Sequence, residues 1–241
     1  MRRVVVGLED PDRQVRGRGI ERLLDAGLTV DLGVASEEIT EDLKPYLHHR
    51  KTGRPYVVLK LATTLDGRIA APDGTSAWIT GSAARSDVHQ LRAYSDAICV
   101  GANTVRMDDP ALTVREWMPV NGGSIREPRR IVLGELSEDS RVWPAETYVG
   151  SLENLIQELG NQGVLQLLIE GGADVAGRFH RSGLVDRYVI YIAPALLGGD
   201  DGRPILAGPG VATMSELRRG RFVSMRRLGD DIRLDLVFDQ L

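Results

Sequence analysis

The chain has 241 residues, enough to bury a substantial core in one large or two small domains. Its 42% hydrophobic and 27% charged residues are ordinary for a globular protein, and its net charge of -4 offers no broad attraction to nucleic acid or to an anionic membrane. A single cysteine, Cys99, excludes an internal disulfide; inside the apolar run AICVG it reads as a buried structural thiol rather than a nucleophile.

The opening MRRVVVG is basic and then apolar, but LEDPDRQ follows at once, which leaves no signal-peptide core. RRVVVGLED (2–10) reads as a strand, GRGIERLLDAG (17–27) as a helix bounded by glycines, and LTVDLGV (28–34) as a second strand. This βαβ-like piece is too small to bury a core alone. EEITEDLKPYLHHRKTGRP (37–55) reads as a polar helix and linker, with His48 and His49 facing solvent; Gly53 and Pro55 mark a boundary.

From Tyr56 onward strands and helices alternate. YVVLKLATTL (56–65) is a strand. Thr80 is placed to cap a helix whose Ala84, Val88 and Leu91 fall at helical spacing. AICVG (97–101) is a continuous apolar strand, and a short helix begins near Asn103. RRIVLG is a strand, LENLIQELG an amphipathic helix, VLQLLIE a buried strand, ADVAGRFHRSG a helix ending at Gly183, and DRYVIYIAP a strand. FVSMRRL, a GDD turn and IRLDLVF close the chain as a β-hairpin. The pattern predicts an α/β fold with a mixed sheet flanked by helices. The longest apolar run, YVIYIAPALL, contains Pro194 and is too short to span a bilayer, so a cytoplasmic protein is the default expectation.

Four scattered histidines, with no HExxH or CxxC pattern, predict no metal site. No GxSxG elbow supports a covalent hydrolase. Phosphate cradles are better supported. Gly101-Ala102-Asn103-Thr104 and Gly171-Gly172 each follow a buried strand and open a helix, which offers free N–H groups and the positive end of a helix dipole. Such turns are also plain α/β connections, and neither matches GxGxxG.

Arg92 and Arg115 bracket the first turn and could converge on one sugar phosphate by forked donation, or lie on the surface. Lys60, between Leu59 and Leu61, belongs either to a sheet edge or to a site. Glu170 ends a strand at the Gly-Gly turn and suits a helix cap or a site. Asp66-Gly67 is a tight turn first and a ligand second, and Asp108 and Asp109 favour a turn before Pro110. Trp78 is either core or, beside Ser76, a stacking wall for a flat ring.

The motifs KLATTLDGRIA (60–70), SAWITG (76–81), VHQLRAYSDAICVGANTVRMDDPALTVR (88–115) and IEGGADVAGRF (169–179) resemble the reductase half of the bifunctional riboflavin-biosynthesis deaminase/reductase family. The resemblance runs from about Arg54 to the C-terminus. It implies a dihydrofolate-reductase-like fold for residues 53–241. It implies NADPH-dependent reduction of 5-amino-6-(5-phosphoribosylamino)uracil to the ribitylamino compound by hydride transfer to the sugar C1′. By motif position, Ser76, Arg92, Leu112, Arg115 and Glu170 fall at substrate contacts. Ala62, Trp78, Thr104, Asp108 and the turn Gly171, Gly172, Ala173, Asp174, Val175 and Ala176, continuing to Arg178, fall at NADPH contacts. Lys60 and Glu170 are the candidate catalytic pair, and Arg106 is a candidate reader of the 2′-phosphate. A homodimer is implied, with the C-terminal hairpin as a plausible contact.

Residues 4–34 resemble the closing βαβ segment of the family's deaminase domain, but its zinc motifs, HxE and PCxxC, are absent. Residues 1–52 are therefore expected to be a deaminase remnant without a zinc site. Two other readings stay open: a reductase of another pterin or pyrimidine, which would not need the arginine pair, and a catalytically silent nucleotide-binding subunit.

Overall fold

The structure, a computed structural model, describes residues 2–119, 122–124, 126–137 and 139–238. The chain packs as two units: residues 1–56 with 157–165, and residues 57–156 with 166–241.

In the first unit β1 (Arg3–Val6) pairs in parallel with β2 (Thr29–Leu32) across α1 (Arg18–Asp25), as the βαβ reading expects. Neither α1 nor the helix after β2 buries a residue fully. The polar stretch expected to be one helix and a linker is instead two helices, α2 (Ser36–Asp42) and α3 (Lys44–Thr52), meeting at Leu43. Pro45 causes the break: without an N–H it fits the first turn of α3 but not the interior of a continuous helix. α3 stops at Gly53, whose φ of 75° is left-handed. His49 corrects the solvent-facing expectation. It is buried, with Nε2 2.9 Å from the Gly160 carbonyl oxygen. Gly160 has no side chain, and a Cβ there would lie 2.1 Å from the Gly53 carbonyl, so the two backbones come within reach of the imidazole.

The second unit is built on β3 (Tyr56–Thr64), β4 (Arg68–Ala70), α4 (Ser82–Ala93), β5 (Ala97–Gly101), α5 (Ala102–Asp108), β6 (Arg129–Leu133) and β7 (Glu146–Tyr148). It continues through the start of α6 (Leu152–Asn161), then β8 (Gln166–Ile169), α7 (Ala173–Ser182), β9 (Arg187–Ala193), β10 (Arg203–Pro204), β11 (Arg221–Leu228) and β12 (Asp231–Val237). An eight-stranded sheet has the order β11-β12-β9-β3-β8-β5-β6-β7, while β4 and β10 pair separately. β5 runs parallel to β6 and β8, and β3 parallel to β9; β12 is antiparallel to β9 and β11. The mixed sheet and C-terminal hairpin match expectation. β4, β7 and β10 have two or three residues each, too few for alternation to register in sequence.

β3 lies between β9 and β8, so Lys60 is not on a sheet edge. Ala84, Val88 and Leu91 of α4 are buried as expected. The cap is not Thr80. Gly81 precedes the helix, and its N–H donates to Asp231 Oδ2 at 2.7 Å, so a carboxylate from the hairpin turn supplies the acceptor. The Thr80 carbonyl takes Arg85 Nη1 at 2.8 Å instead. β12 alternates as read, but Asp231, Arg233, Asp235 and Val237 face inward while Ile232 is exposed, so its buried face is mainly charged. Among the described residues no helix is long and apolar enough to cross a membrane.

Candidate active site

Because β5 and β8 are parallel neighbours, with Cys99 opposite Ile169, their C-terminal ends lie side by side. Glu170 N–H then donates to the Cys99 carbonyl at 2.9 Å. Gly101 leads into α5 and Gly172 into α7, and the two turns touch: Gly172 N–H donates to Thr104 Oγ1 at 3.2 Å. A Cβ on Gly101 would come within 2.8 Å of Val175 Cγ2, and one on Gly171 within 2.5 Å of Val175 Cβ. Glycine is needed at both because the backbone crowds this valine, not because of a positive φ. Ala173 and Val175 are themselves buried and the Ala176 N–H is spent on the Gly172 carbonyl at 3.0 Å, leaving the backbone N–H groups of residues 173–175 and the exposed Asp174 side chain as what this turn can offer a ligand. Thr104 thus joins two helix tips that are far apart in sequence into one surface.

Beside this surface lie Lys60, Arg92 and Glu170. Glu170 caps no helix. Its carboxylate accepts Arg92 Nε at 2.7 Å and Nη2 at 3.0 Å, with the two side chains only 7% and 13% exposed respectively. Arg92 Nη1 donates to the Thr113 carbonyl at 3.0 Å. Arg92 is therefore not a bare surface cation; three of its N–H groups already have partners. Burial pushes the Glu170 carboxyl up, but the charge and hydrogen bonds of Arg92, with Lys60, hold it below the usual carboxylate range. Burial pulls the Lys60 ammonium below its usual value; Glu170 opposes this and Arg92 reinforces it. Lys60 Nζ stands 6.0 Å from the Tyr191 ring centre.

The 109–116 segment carries Arg115. Asp109, Leu112 and Glu116 have φ of 38°, 50° and 56°, left-handed conformations that cost about 1–3 kcal/mol each in non-glycine residues and persist only where surroundings enforce them. Asp109 is held by its N–H on the Val105 carbonyl at 2.9 Å and by Arg141 N–H on its carboxylate at 2.8 Å. Around Leu112 and Glu116 the groups that hold the segment are Arg92 on Thr113, the Glu127 carboxylate on Val114 N–H at 3.2 Å, and His89, whose Nδ1 lies 3.1 Å from the Thr113 carbonyl and 3.2 Å from Arg115 N. Leu112 is 3% exposed, so its side chain packs into the core instead of facing a substrate. The Arg115 side chain is exposed.

Ser76 Oγ donates to Asp108 Oδ1 at 3.3 Å, linking a substrate candidate to a cofactor candidate. Trp78 is not core: it is 78% exposed, with the Arg85 guanidinium 4.8 Å from its ring centre. Ser76 and Trp78 line a cavity of about 140 Å³ with Thr64, Arg68 and Leu197, and Ala62 lies on the strand leading to it. Asp66-Gly67 is the expected tight turn, with φ of 77° at Gly67. It also clamps a loop. Asp66 accepts Thr64 Oγ1 at 2.5 Å, Gly198 N–H at 2.8 Å and Leu197 N–H at 3.1 Å, which with backbone support bring its carboxyl down to about 2. Arg68 donates to the Gly199 and Gly202 carbonyls at 3.0 and 3.2 Å. The clamp seats Leu197 against the cavity.

Arg106 spends Nη1 on Asn103 Oδ1 at 2.6 Å and Nη2 on the Glu135 carbonyl at 2.9 Å. It borders a cavity of about 680 Å³ that also carries Asp109, Glu135 and Asp139. These carboxylates make poor neighbours for a 2′-phosphate.

Two groups of residues escaped sequence reasoning. His89 sat unremarked on the inner face of α4. Behind Lys60, Tyr191 OH and Arg233 Nη1 both donate to Asp87 Oδ2 at 2.6 Å, and Arg233 also pairs with Asp235 at 2.8 Å. Charges at alternate positions in IRLDLVF were the available signal. Cys99 is fully buried, and burial pushes its thiol up to about 12, consistent with a structural role.

The family model for the RibD C-terminal domain matches residues 55–234. The riboflavin biosynthesis protein RibD of Escherichia coli K12 is 37% identical over 273 aligned positions, covering 98% of this chain and 74% of that protein. The solved structure of Acinetobacter baumannii RibD, form 1, superposes with a TM-score of 0.90 at 32% identity, covering 99% of this chain and 73% of that one. A Thermotoga maritima structure described as a diaminohydroxyphosphoribosylaminopyrimidine deaminase/5-amino-6-(5-phosphoribosylamino)uracil reductase superposes with a TM-score of 0.83 at 27% identity, covering 99% and 72%.

Proposed function

The chain belongs to the RibD C-terminal domain family, and on that premise we propose that it catalyses NADPH-dependent reduction of 5-amino-6-(5-phosphoribosylamino)uracil to 5-amino-6-(5-phosphoribitylamino)uracil in riboflavin biosynthesis. The observation that carries this reading is the contact of the two glycine-turned helix tips through Thr104 and Gly172, directly beside the Lys60–Arg92–Glu170 cluster. A dinucleotide and a sugar phosphate can share that surface.

The residues present fit a nicotinamide dinucleotide. The N–H groups of Ala173, Asp174 and Val175 at the start of α7 and the Thr104 hydroxyl suit its phosphates, and exposed Trp78 beside Ser76 and Asp108 suits its flat ring. When bound, the reduced nicotinamide supplies the hydride. The chain's own residues hold the sugar for it. Arg115 offers the phosphate a forked donor. Glu170, kept ionised by Arg92 and Lys60, can only accept, so it orients ribose hydroxyls. Opening of the ribosylamine breaks C1′–O4′: the ring oxygen gains a proton and the exocyclic nitrogen loses one, giving an imine. With that hydride delivered to C1′, the nitrogen would regain a proton. The Lys60 ammonium, its proton loosened by burial, stabilises charge developing on the departing oxygen.

Residues 1–52 are read as the counterpart of the closing part of a deaminase domain. The match to Escherichia coli RibD runs over 98% of the chain, whereas the reductase family model starts at residue 55. We also propose a homodimer through the C-terminal hairpin, where Phe222 and Met225 on the edge strand β11 are 62% and 70% exposed.

NADPH oxidation with the phosphorylated pyrimidine, its dephosphorylated form and a dihydropterin tests the reading. Turnover should need the phosphorylated compound, and Arg115→Ala should raise its KM about 10- to 100-fold. Equal turnover of the dephosphorylated compound, or an unchanged KM in R115A, would refute the phosphate assignment.

A further inference from the structure

His89 has one ring nitrogen facing two backbone groups with opposite requirements. Nδ1 is 3.2 Å from the Arg115 N–H, which needs an acceptor, and 3.1 Å from the Thr113 carbonyl, which needs a donor. One nitrogen cannot serve both. The carbonyl already accepts Arg92 Nη1 at 3.0 Å, so the arrangement is complete when Nδ1 carries no proton and accepts Arg115 N–H. We propose that His89 is a positioning residue for Arg115: as a neutral ring it fixes the Arg115 backbone and so aims its side chain at the substrate phosphate, and protonation turns Nδ1 to Thr113 and releases that hold. The proposal rests on the reading of Arg115 as the phosphate anchor.

The surroundings favour the neutral ring. His89 is 8% exposed. Arg92 on its own helix and Arg115 on the facing segment are cations; Glu116 on that segment and Glu170 beyond β8 are anions. Burial first, then Arg92, draw the imidazole below its usual value; the Thr113 carbonyl and Glu116 oppose them, and Arg115 adds to the lowering. At neutral pH the ring is therefore uncharged and holds Arg115. The segment it holds includes left-handed Leu112 and Glu116, which would relax without such contacts.

Asparagine and leucine separate acceptor from bulk. In His89→Asn the amide oxygen lies near the Nδ1 position and accepts without titrating; His89→Leu fills the space and cannot accept. Steady-state kinetics with NADPH and the phosphorylated pyrimidine should show KM for the pyrimidine raised about tenfold in H89L with kcat within about twofold. H89N should stay within about threefold of wild type. The ratio of wild-type KM to H89N KM, measured from about pH 8 down to pH 5, should climb as the wild-type ring protonates. Titration of the substrate phosphate cancels in that ratio. A flat ratio, or H89N as impaired in KM as H89L, would overturn the proposal. If H89L does not fold, the H89N ratio decides alone. Arg115→Ala is measured in parallel. A raised KM in R115A with none in H89L removes only the His89 role, whereas an unchanged KM in R115A removes the phosphate anchor and the His89 role together.

Discussion

Replacing Glu170 by glutamine removes the charge of the Arg92–Glu170 pair while nearly preserving its shape. The carboxylate accepts two N–H groups, at 2.7 and 3.0 Å, between side chains that are 7% and 13% exposed. Glutamine keeps one acceptor oxygen and presents an NH₂ to the other Arg92 donor. Hydrogen bonds to charged groups contribute about 1.5–3 kcal/mol, and removing one member of a buried pair outright costs about 3–5 kcal/mol. E170Q, retaining one bond, should lose about 2–3 kcal/mol. For a chain of this size that lowers Tm by about 4–12 °C. The pH dependence isolates the charge. Glu170 has its folded pKa depressed below the ordinary 4.5, so its contribution is fully present above that value and is lost as pH falls through the lower folded pKa. Thermal unfolding followed by circular dichroism, for wild type and E170Q in parallel, should show a Tm gap that is constant near neutrality and narrows below pH 4.5. A gap that stays the same down to pH 3, or no gap at pH 7, would refute the assignment of the stabilisation to this ion pair.

Three further outcomes are expected. Gly171→Ala places a methyl 2.5 Å from Val175 Cβ, so Val175 and the turn must shift; KM for NADPH should rise at least about fivefold, and an unchanged value would mean the turn does not hold the dinucleotide. Asp231→Ala removes the acceptor of Gly81 N–H and should cost about 1 kcal/mol, seen as a Tm lowered by about 2–4 °C; an unaltered Tm would show that solvent caps α4 equally well. The Cys99 thiol, fully buried and pushed up to about 12, should stay silent to a thiol reagent in native buffer and react with one equivalent in denaturant; rapid native labelling would contradict its place in β5.

Local signals fixed the α/β alternation. AICVG forms a fully buried strand, Ala84, Val88 and Leu91 form the inner stripe of α4, and the hairpin turn falls at Gly229. Each of these follows from apolar period or turn chemistry, which near neighbours alone determine. The polar tract 37–55 was harder to read, because a stretch without an apolar face gives no period to mark where one helix yields to the next at Pro45. The cap of α4 could not be read from near neighbours at all, since its acceptor comes from Asp231 at the far end of the chain.

The sequence alone set out which residues could carry the chemistry: a lysine within an apolar strand, two glycine-turned helix starts, two arginines and a carboxylate at a strand end. Tertiary packing decided what each faces. It moved Lys60 from the edge-or-site alternative to the centre of the sheet, paired Glu170 with Arg92 instead of with a helix end, brought Thr104 onto Gly172, and set His89 against the backbone of Arg115. The physical reason is range. Helix and strand propensity act over a few residues, whereas burial, ion pairing and hydrogen-bond partnership depend on which strands become neighbours, and β5 meets β8 only when the whole sheet forms.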